Sequence, residues 1–295
     1  MPRKTNLFYQ EALGPNIMSD ARPSDARAVE RVPRWFSENE SKAWGEKFFL
    51  AYSPMWMIAI GLVMAFGLTH IVGDWGFLAI GLFVAAPLVV VPLLIRDEAA
   101  LGRRWYETYW FKANLYIAIF NFAANYFGTE YFFDVLGMVY RYPAIDWNLD
   151  SWLVGSGEQR VPVVMYLLTQ AYFMTYHTTA VVVLRRLRTS RLSLFRAAWP
   201  LLILAVAYTW AWIETRAMAN PLIEAQFYYE NPERMRSHGS LFYALYFVAS
   251  FPIFYPLDED RRANWSLTKV AGAACAAGLI MLFLLDFAGA LFGPL

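Results

Sequence analysis

The chain has 295 residues, with 25 Lys and Arg against 24 Asp and Glu, and it is 58% apolar and 18% aromatic. Soluble chains average about 45–50% apolar and about 25% charged; at 17% charged, this one carries more apolar surface than a soluble fold of its size can hide, and it reads as an all-α integral membrane bundle. The balanced charge leaves no positive field for nucleic acid, and a single cysteine, Cys275, excludes an intrachain disulfide framework.

Residues 1–36 read as a polar tail with Pro2, Pro15, Pro23 and Pro33 and no apolar core of signal-peptide length, and residues 37–295 as one transmembrane domain. Seven stretches are apolar enough to span a bilayer: 50–71, 75–95, 113–134, 162–184, 199–219, 239–257 and 270–292. Of the 25 Lys and Arg, 20 fall in the alternate segments 1–49, 96–112, 185–198 and 258–269, and five in the others. Positive residues favour the cytoplasmic side, so the pattern predicts seven spans with a cytoplasmic N-terminus. Within the longest far-side segment, 135–161, the run Gly155-Ser156-Gly157 reads as a plain linker or as a candidate lid.

Ionisable and amide side chains inside spans are costly and each needs a reason. In the third span Asn114, Asn121 and Asn125 fall on one helical face, with Glu130 and Asp134 on the opposite side and Gly128 between the two sets. The asparagines read either as interhelical glue or as the wall of a site. In the fourth span Tyr166, Gln170, Phe173 and His177 recur at i, i+4, i+7 and i+11, a stripe mixing aromatic and hydrogen-bonding groups that reads as the wall of an amphipathic pocket or, for His177, as a satisfied interhelical histidine. In the fifth, Glu214 shares its side with Ala207, Ala211 and Ala217, while Tyr208 and Trp212 lie on an adjoining face. A dehydrated carboxyl there favours its neutral, proton-donating form; the competing reading is a structural pair with an arginine. At 1.5 Å per residue, His177 and Glu214 lie roughly 10 Å apart along the membrane normal, too far for a directly bonded acid–base pair. Tyr243 and Tyr246 of the sixth span read mainly as packing. The chain has three histidines, His70, His177 and His238, and no GxGxxG, phosphate loop or HExxH run. A redox enzyme is therefore disfavoured, which leaves open a cofactor-free reaction on a lipid, whether isomerisation, proton transfer or hydrolysis.

Several runs carry a family resemblance. Ser41-Lys42-Ala43-Trp44-Gly45-Glu46-Lys47-Phe48-Phe49-Leu50, Tyr109-Trp110-Phe111-Lys112-Ala113-Asn114-Leu115, Asn125-Tyr126-Phe127, Tyr131-Phe132-Phe133, Tyr176-His177, Leu184-Arg185-Arg186-Leu187-Arg188, Glu214-Thr215 and Leu241-Phe242-Tyr243-Ala244 follow one another in order over roughly residues 37–290. They resemble the cycloeucalenol cycloisomerases, the cyclopropyl sterol isomerases of plants. The resemblance implies a membrane enzyme that opens the 9β,19-cyclopropane ring of a 4α-methyl sterol to give a Δ8 sterol, with no cofactor and no metal, and whose partners are the sterol and the bilayer. Protonation of C19 leaves positive charge at C9, and loss of the C8 proton forms the double bond. On this reading Glu214 is the first choice of proton donor and Glu130 the second. His177 is the base or the partner of the sterol hydroxyl. Asn121, Asn125 and Gln170 orient the acid or the hydroxyl, and Tyr126, Phe173, Tyr208 and Trp212 shield the carbocation. Arg outnumbers Lys 20 to 5, which points to a GC-rich bacterial genome and an inner-membrane location; in a eukaryote the membrane would be the endoplasmic reticulum. The competing class is a sterol-binding or transport protein with the same pocket and no chemistry, which needs only hydroxyl and amide contacts.

Overall fold

A computed structural model describes residues 32–95, 101–190 and 197–293; the first 31 residues of the expected polar tail lie outside the described residues. The architecture is helical, and a helix or a near-continuous helical run occupies each of the seven apolar stretches. α1 (Glu40–Ala65) starts at Asn39, whose side chain accepts the Lys42 backbone N–H. α2 (Asp74–Ala85) runs into α3 (Pro87–Leu94) across a 46° bend. Pro87 fits the first turn of the new helix, where its missing N–H breaks no bond. α4 (Tyr109–Ala123) passes through a π-helical turn, Ala124–Gly128, into α5 (Thr129–Leu136). α5 stops at Gly137, which is left-handed at φ 59° and returns its N–H to Phe133.

The chain then forms β1 (Met138–Tyr140), crosses a long loop and enters α6 (Val163–Arg188), followed by α7 (Trp199–Met218). β2 (Phe227–Tyr229) pairs antiparallel with β1, Met138 opposite Tyr229 and Tyr140 opposite Phe227. A second π-helical turn, Met235–Gly239, leads into α8 (Ser240–Phe254), and α9 (Leu267–Phe292) follows. α6 is the hub, packed against α1, α2, α4 and α7, while α8 lies between α7 and α9, and α9 closes back onto α4. α1 and α9 are long and apolar enough to cross a membrane by length and composition, and the bent α2–α3 pair counts as a third if it forms one span.

Each end of the bundle is tied by different chemistry. At one end Arg185 donates to Glu46 (2.5 and 2.9 Å) and Glu259 (2.6 and 2.7 Å). Lys42 donates to the Tyr255 and Leu257 carbonyls at 2.8 and 2.6 Å and pairs with Glu259 at 2.9 Å. Lys112 pairs with Asp258 at 2.7 Å. These contacts gather residues from 1–49, 96–112, 185–198 and 258–269, the same four segments that hold most of the positive charge. At the other end the β1–β2 pair joins residues of 135–161 and 216–238, and Asp74 accepts the backbone N–H groups of Asp146 and Trp147 at 2.9 Å each.

Candidate active site

A cavity of about 290 Å³ lies between α1, the first π turn, α5, α6, α7 and α8, and β1 and β2 close its end. Its volume is near the lower edge of the roughly 300–1,000 Å³ typical of ligand pockets. The wall is apolar and aromatic: Trp56 comes from α1, Phe132 from α5, Tyr172, Phe173 and Tyr176 from α6, and Tyr243, Tyr246 and Phe247 from α8. Among the described lining residues one carboxyl occurs, that of Glu214. It is 8% exposed and has no hydrogen-bond or ion-pair partner among the described residues. It reaches this position because Ala207 and Ala211, both fully buried, let α7 approach its neighbours closely. Ser240 of α8 donates to Thr215 at 3.1 Å beside it, and Thr215 donates to the Ala211 carbonyl at 2.7 Å.

The asparagine face divides into a scaffold and one residue that reaches the site. Asn114 donates to the Leu88 carbonyl at 3.0 Å and receives Gln170 at 3.2 Å, so both bind α4 to its neighbours. Asn121 donates to the Tyr166 carbonyl at 2.6 Å and accepts from Asn125 at 2.5 Å. Asn125, turned by the π segment, lines the cavity, and the Thr169 hydroxyl, which donates to the Met165 carbonyl at 2.6 Å, lies 3.4 Å from the Asn125 Oδ1 and 2.9 Å from the Tyr172 hydroxyl. Asn125, Thr169 and Tyr172 form a polar patch in an otherwise apolar wall.

Other expected residues sit elsewhere. His177 is fully buried but outside the cavity wall, enclosed by Phe120, Phe251 and Phe254. Its Nδ1 donates to the Phe173 carbonyl at 2.7 Å, which fixes the tautomer and leaves Nε2 to accept the Ser250 hydroxyl at 2.9 Å. Both nitrogens are engaged, which removes it from contact with a ligand in the cavity. Tyr208 and Trp212, 43% and 46% exposed, face outward from α7. Tyr126 stacks on Phe122 at 5.2 Å outside the cavity. Glu130 is 2% exposed and points away from the cavity, its Oε2 without a partner among the described residues. Gly155, at φ +96°, lies directly over it, and a Cβ there would fall 2.1 Å from that oxygen. The neighbouring Ser156 donates its N–H and hydroxyl to Asp134 at 2.8 and 2.7 Å. The Gly-Ser-Gly run is thus clamped on the outer side of α5, not over the cavity.

The α6 stripe was displaced by one residue. Tyr166, Gln170 and His177 were expected to form the pocket wall with Phe173; the wall is Thr169, Tyr172, Phe173 and Tyr176. One residue is 100° of helix, and with aromatics on both adjoining faces of α6, Tyr166 and Phe173 on one and Tyr172 and Tyr176 on the next, the pattern offers little to choose between them. Tyr140 and Phe227 had no sequence signal, because a three-residue strand pair between distant loops leaves no periodicity.

A helical chain with two helices long and apolar enough to cross a membrane, and an apolar, aromatic cavity whose described wall carries one carboxyl, has the features of a membrane-associated protein with an internal site for an apolar ligand. The chain is 38% identical over 272 residues to cycloeucalenol cycloisomerase of Arabidopsis thaliana, covering 88% of this chain and 90% of that protein. It belongs to the cycloeucalenol cycloisomerase family and is an isomerase. No protein-family model matches the chain, and no solved structure matches it.

Proposed function

We propose that this chain opens the 9β,19-cyclopropane ring of a cyclopropyl sterol of the cycloeucalenol type, with Glu214 as the proton donor. The observation that carries the reading is the position of Glu214, the one carboxyl among the described residues of the cavity wall. In step one its O–H bond breaks, the proton joins C19, and the C9–C19 bond supplies the electrons. C19 becomes a methyl group and C9 a tertiary cation. In step two the C8–H bond breaks, its electrons form the C8=C9 double bond, and the proton passes to the Glu214 carboxylate left by step one, which restores the acid. Water cannot solvate the cation in such a wall, so the rings of Tyr172, Phe173, Tyr246 and Phe247 face it instead, each contributing roughly 0.5–2 kcal/mol. The Asn125–Thr169–Tyr172 patch holds the sterol hydroxyl, and Asn121 orients Asn125.

The bundle crosses the membrane seven times with a cytoplasmic N-terminus and forms one domain over residues 37–295. Supporting this, each cluster at the ends of the bundle joins segments that the charge count puts on one side. Between α1 and α9, the bend at Pro87 and the two π turns break α2, α3, α4 and α8 into segments shorter than a full span, while α6 and α7 are long but carry polar groups of the site and its scaffold.

The test supplies cycloeucalenol to the purified protein in lipid and follows conversion to the Δ8 isomer. E214Q is expected to bind sterol and to lose turnover by about 10²–10⁴-fold, the contribution typical of a positioned general acid. An E214Q protein with wild-type turnover would overturn the assignment.

A further inference from the structure

The partly exposed residues of the cavity wall are not scattered around it. Asn125, Phe132, Phe173 and Phe247 line its deep side, toward α5 and α8, and are buried. Trp56, Ile60 and Met64 of α1 line it too and are half-buried, and on α7 Met218 is half-buried and Ala217 exposed. Between them Leu168, Tyr172 and Tyr176 of α6, at i, i+4 and i+8, form a half-buried stripe on one helical face. α1 and α7 each pack on α6, and among the described residues they make no extended contact with each other. The wall is therefore open sideways, through a slot with α1 and α7 as its sides and α6 as its floor.

The slot has two ends. At one, the Tyr176 ring stacks on Trp210 of α7 at 4.9 Å, and the Trp56 indole N–H donates to the Thr175 hydroxyl at 2.9 Å. These contacts pin both sides to the floor. At the other end Tyr140 of β1 and the buried Phe227 of β2 close the axial route. Between these limits the sides carry apolar groups, Ile60 and Met64 on α1 and Ala217 and Met218 on α7. Ala217, three residues beyond Glu214, takes up the least of the width. Ile60 and Met64 lie in the second half of α1, Leu168 and Tyr172 in the first half of α6, and Ala217 in the last turn of α7. The slot thus lies in the half of the bundle capped by β1 and β2, away from the Arg185 network.

We propose that this slot is the mouth through which the sterol passes sideways between the bilayer and the cavity, from the leaflet at the β1–β2 end; the proposal rests on the reading of the cavity as a sterol site. A sterol dissolved in the bilayer reaches Glu214 by this path without exposing its apolar surface to water, and the product leaves the same way.

The test places a removable plug in the mouth. Full-length protein in lipid carries C275S, which removes the exposed native cysteine, together with A217C. Benzyl methanethiosulfonate labels the new thiol, and reductant takes the group off again. Exchange of tritiated Δ8 sterol, the product, and turnover of cycloeucalenol are followed before labelling, after it and after reduction. A plug in a mouth slows passage in both directions, so sterol association and release are both expected to fall by about tenfold or more while Kd stays within about threefold, and turnover falls with them. Reductant should restore all three. The methyl reagent, with far less bulk, should leave the rates nearly unchanged. I60C, on the other side of the slot, should respond as A217C does. L204C, on the exposed surface of α7 nearer its other end, should not respond.

Labelled A217C and I60C proteins that exchange sterol at the unlabelled rates would overturn the mouth. So would a loss of binding at equilibrium, which would put the label inside the cavity. An equal slowing in L204C would trace the effect to the surrounding lipid and overturn it as well. A wild-type protein that neither converts cycloeucalenol nor binds either sterol would instead overturn the reading of the cavity, on which the mouth depends.

Discussion

Residues of the same chemical kind have separate fates in this bundle, and what separates them is which face of a helix meets the cavity. Glu214 and His177 both stand out in the sequence as ionisable groups at membrane depth. Glu214 is left unpaired in the cavity wall, whereas His177 is satisfied at both ring nitrogens and walled off by phenylalanines. H177L is therefore expected to leave turnover per folded molecule within a few-fold of wild type. It removes the partner of the buried Ser250 hydroxyl, so it should cost about 1–3 kcal/mol of stability, read as a lower midpoint of thermal unfolding in detergent. A loss of activity without a loss of stability would return His177 to the site. A satisfied interhelical histidine was one of the two readings the sequence allowed; its partner was not legible, because Ser250 comes from another helix 73 residues away.

Helices α4 and α5 show how an element can carry a site that neither half would make alone. The spacing of Asn114, Asn121 and Asn125 marked one face correctly, and Gly128 marked the place where the regular helix gives way. What the spacing could not show is the form of the break, a π turn that keeps the rod continuous while presenting Asn125 and Thr129 to the cavity. Gly128 has φ −69°, an ordinary helical value, so its lack of a side chain serves space and not backbone freedom. A Cβ there would lie 2.2 Å from the Tyr246 hydroxyl oxygen and 3.0 Å from its ring carbon Cζ. Tyr246 has little room to retreat, since it donates to the Ala124 carbonyl at 3.3 Å and packs on Phe132 at 5.0 Å. Alanine normally stabilises a helix over glycine by roughly 1 kcal/mol. Here overpacking, about 1–3 kcal/mol, outweighs that gain. G128A is expected to lower both the unfolding midpoint and kcat/KM for the sterol, because the displaced ring is part of the cavity wall. A G128A protein more stable than wild type would show that the π turn yields instead.

Across the whole molecule, the lopsided distribution of Lys and Arg foreshadowed more than sidedness. The segments that carry the excess meet in a buried ion network. Arg185 bridges Glu46 of α1 and Glu259 of the α8–α9 connection, and Lys42 reaches the same Glu259. That these particular residues pair was not legible, because charge counting ranks segments and not partners 139 and 74 residues apart in the chain. The side chains of Arg185 and Glu46 are 2% and 0% exposed, so removing one strands the other. R185L is expected to cost about 3–5 kcal/mol, the range for an orphaned buried charge, while R185L/E46L should recover part of it because the stranded carboxylate is gone. The network also sets a pH response through Glu259. Burial pushes its carboxyl up, but the Arg185 hydrogen bonds and the Lys42 and Arg185 charges outweigh burial and hold it below the ordinary carboxylate range. A folded-state value below the unfolded one contributes stability that is complete above the unfolded value and is lost as pH falls through the folded one. Thermal unfolding midpoints should therefore hold level from neutral pH down to the ordinary carboxylate range and drop in stronger acid. E259Q should lower the neutral-pH midpoint and flatten the acid drop, since glutamine keeps the shape and loses the titration. An E259Q protein whose acid drop is as steep as that of wild type would place the sensitive carboxylate elsewhere.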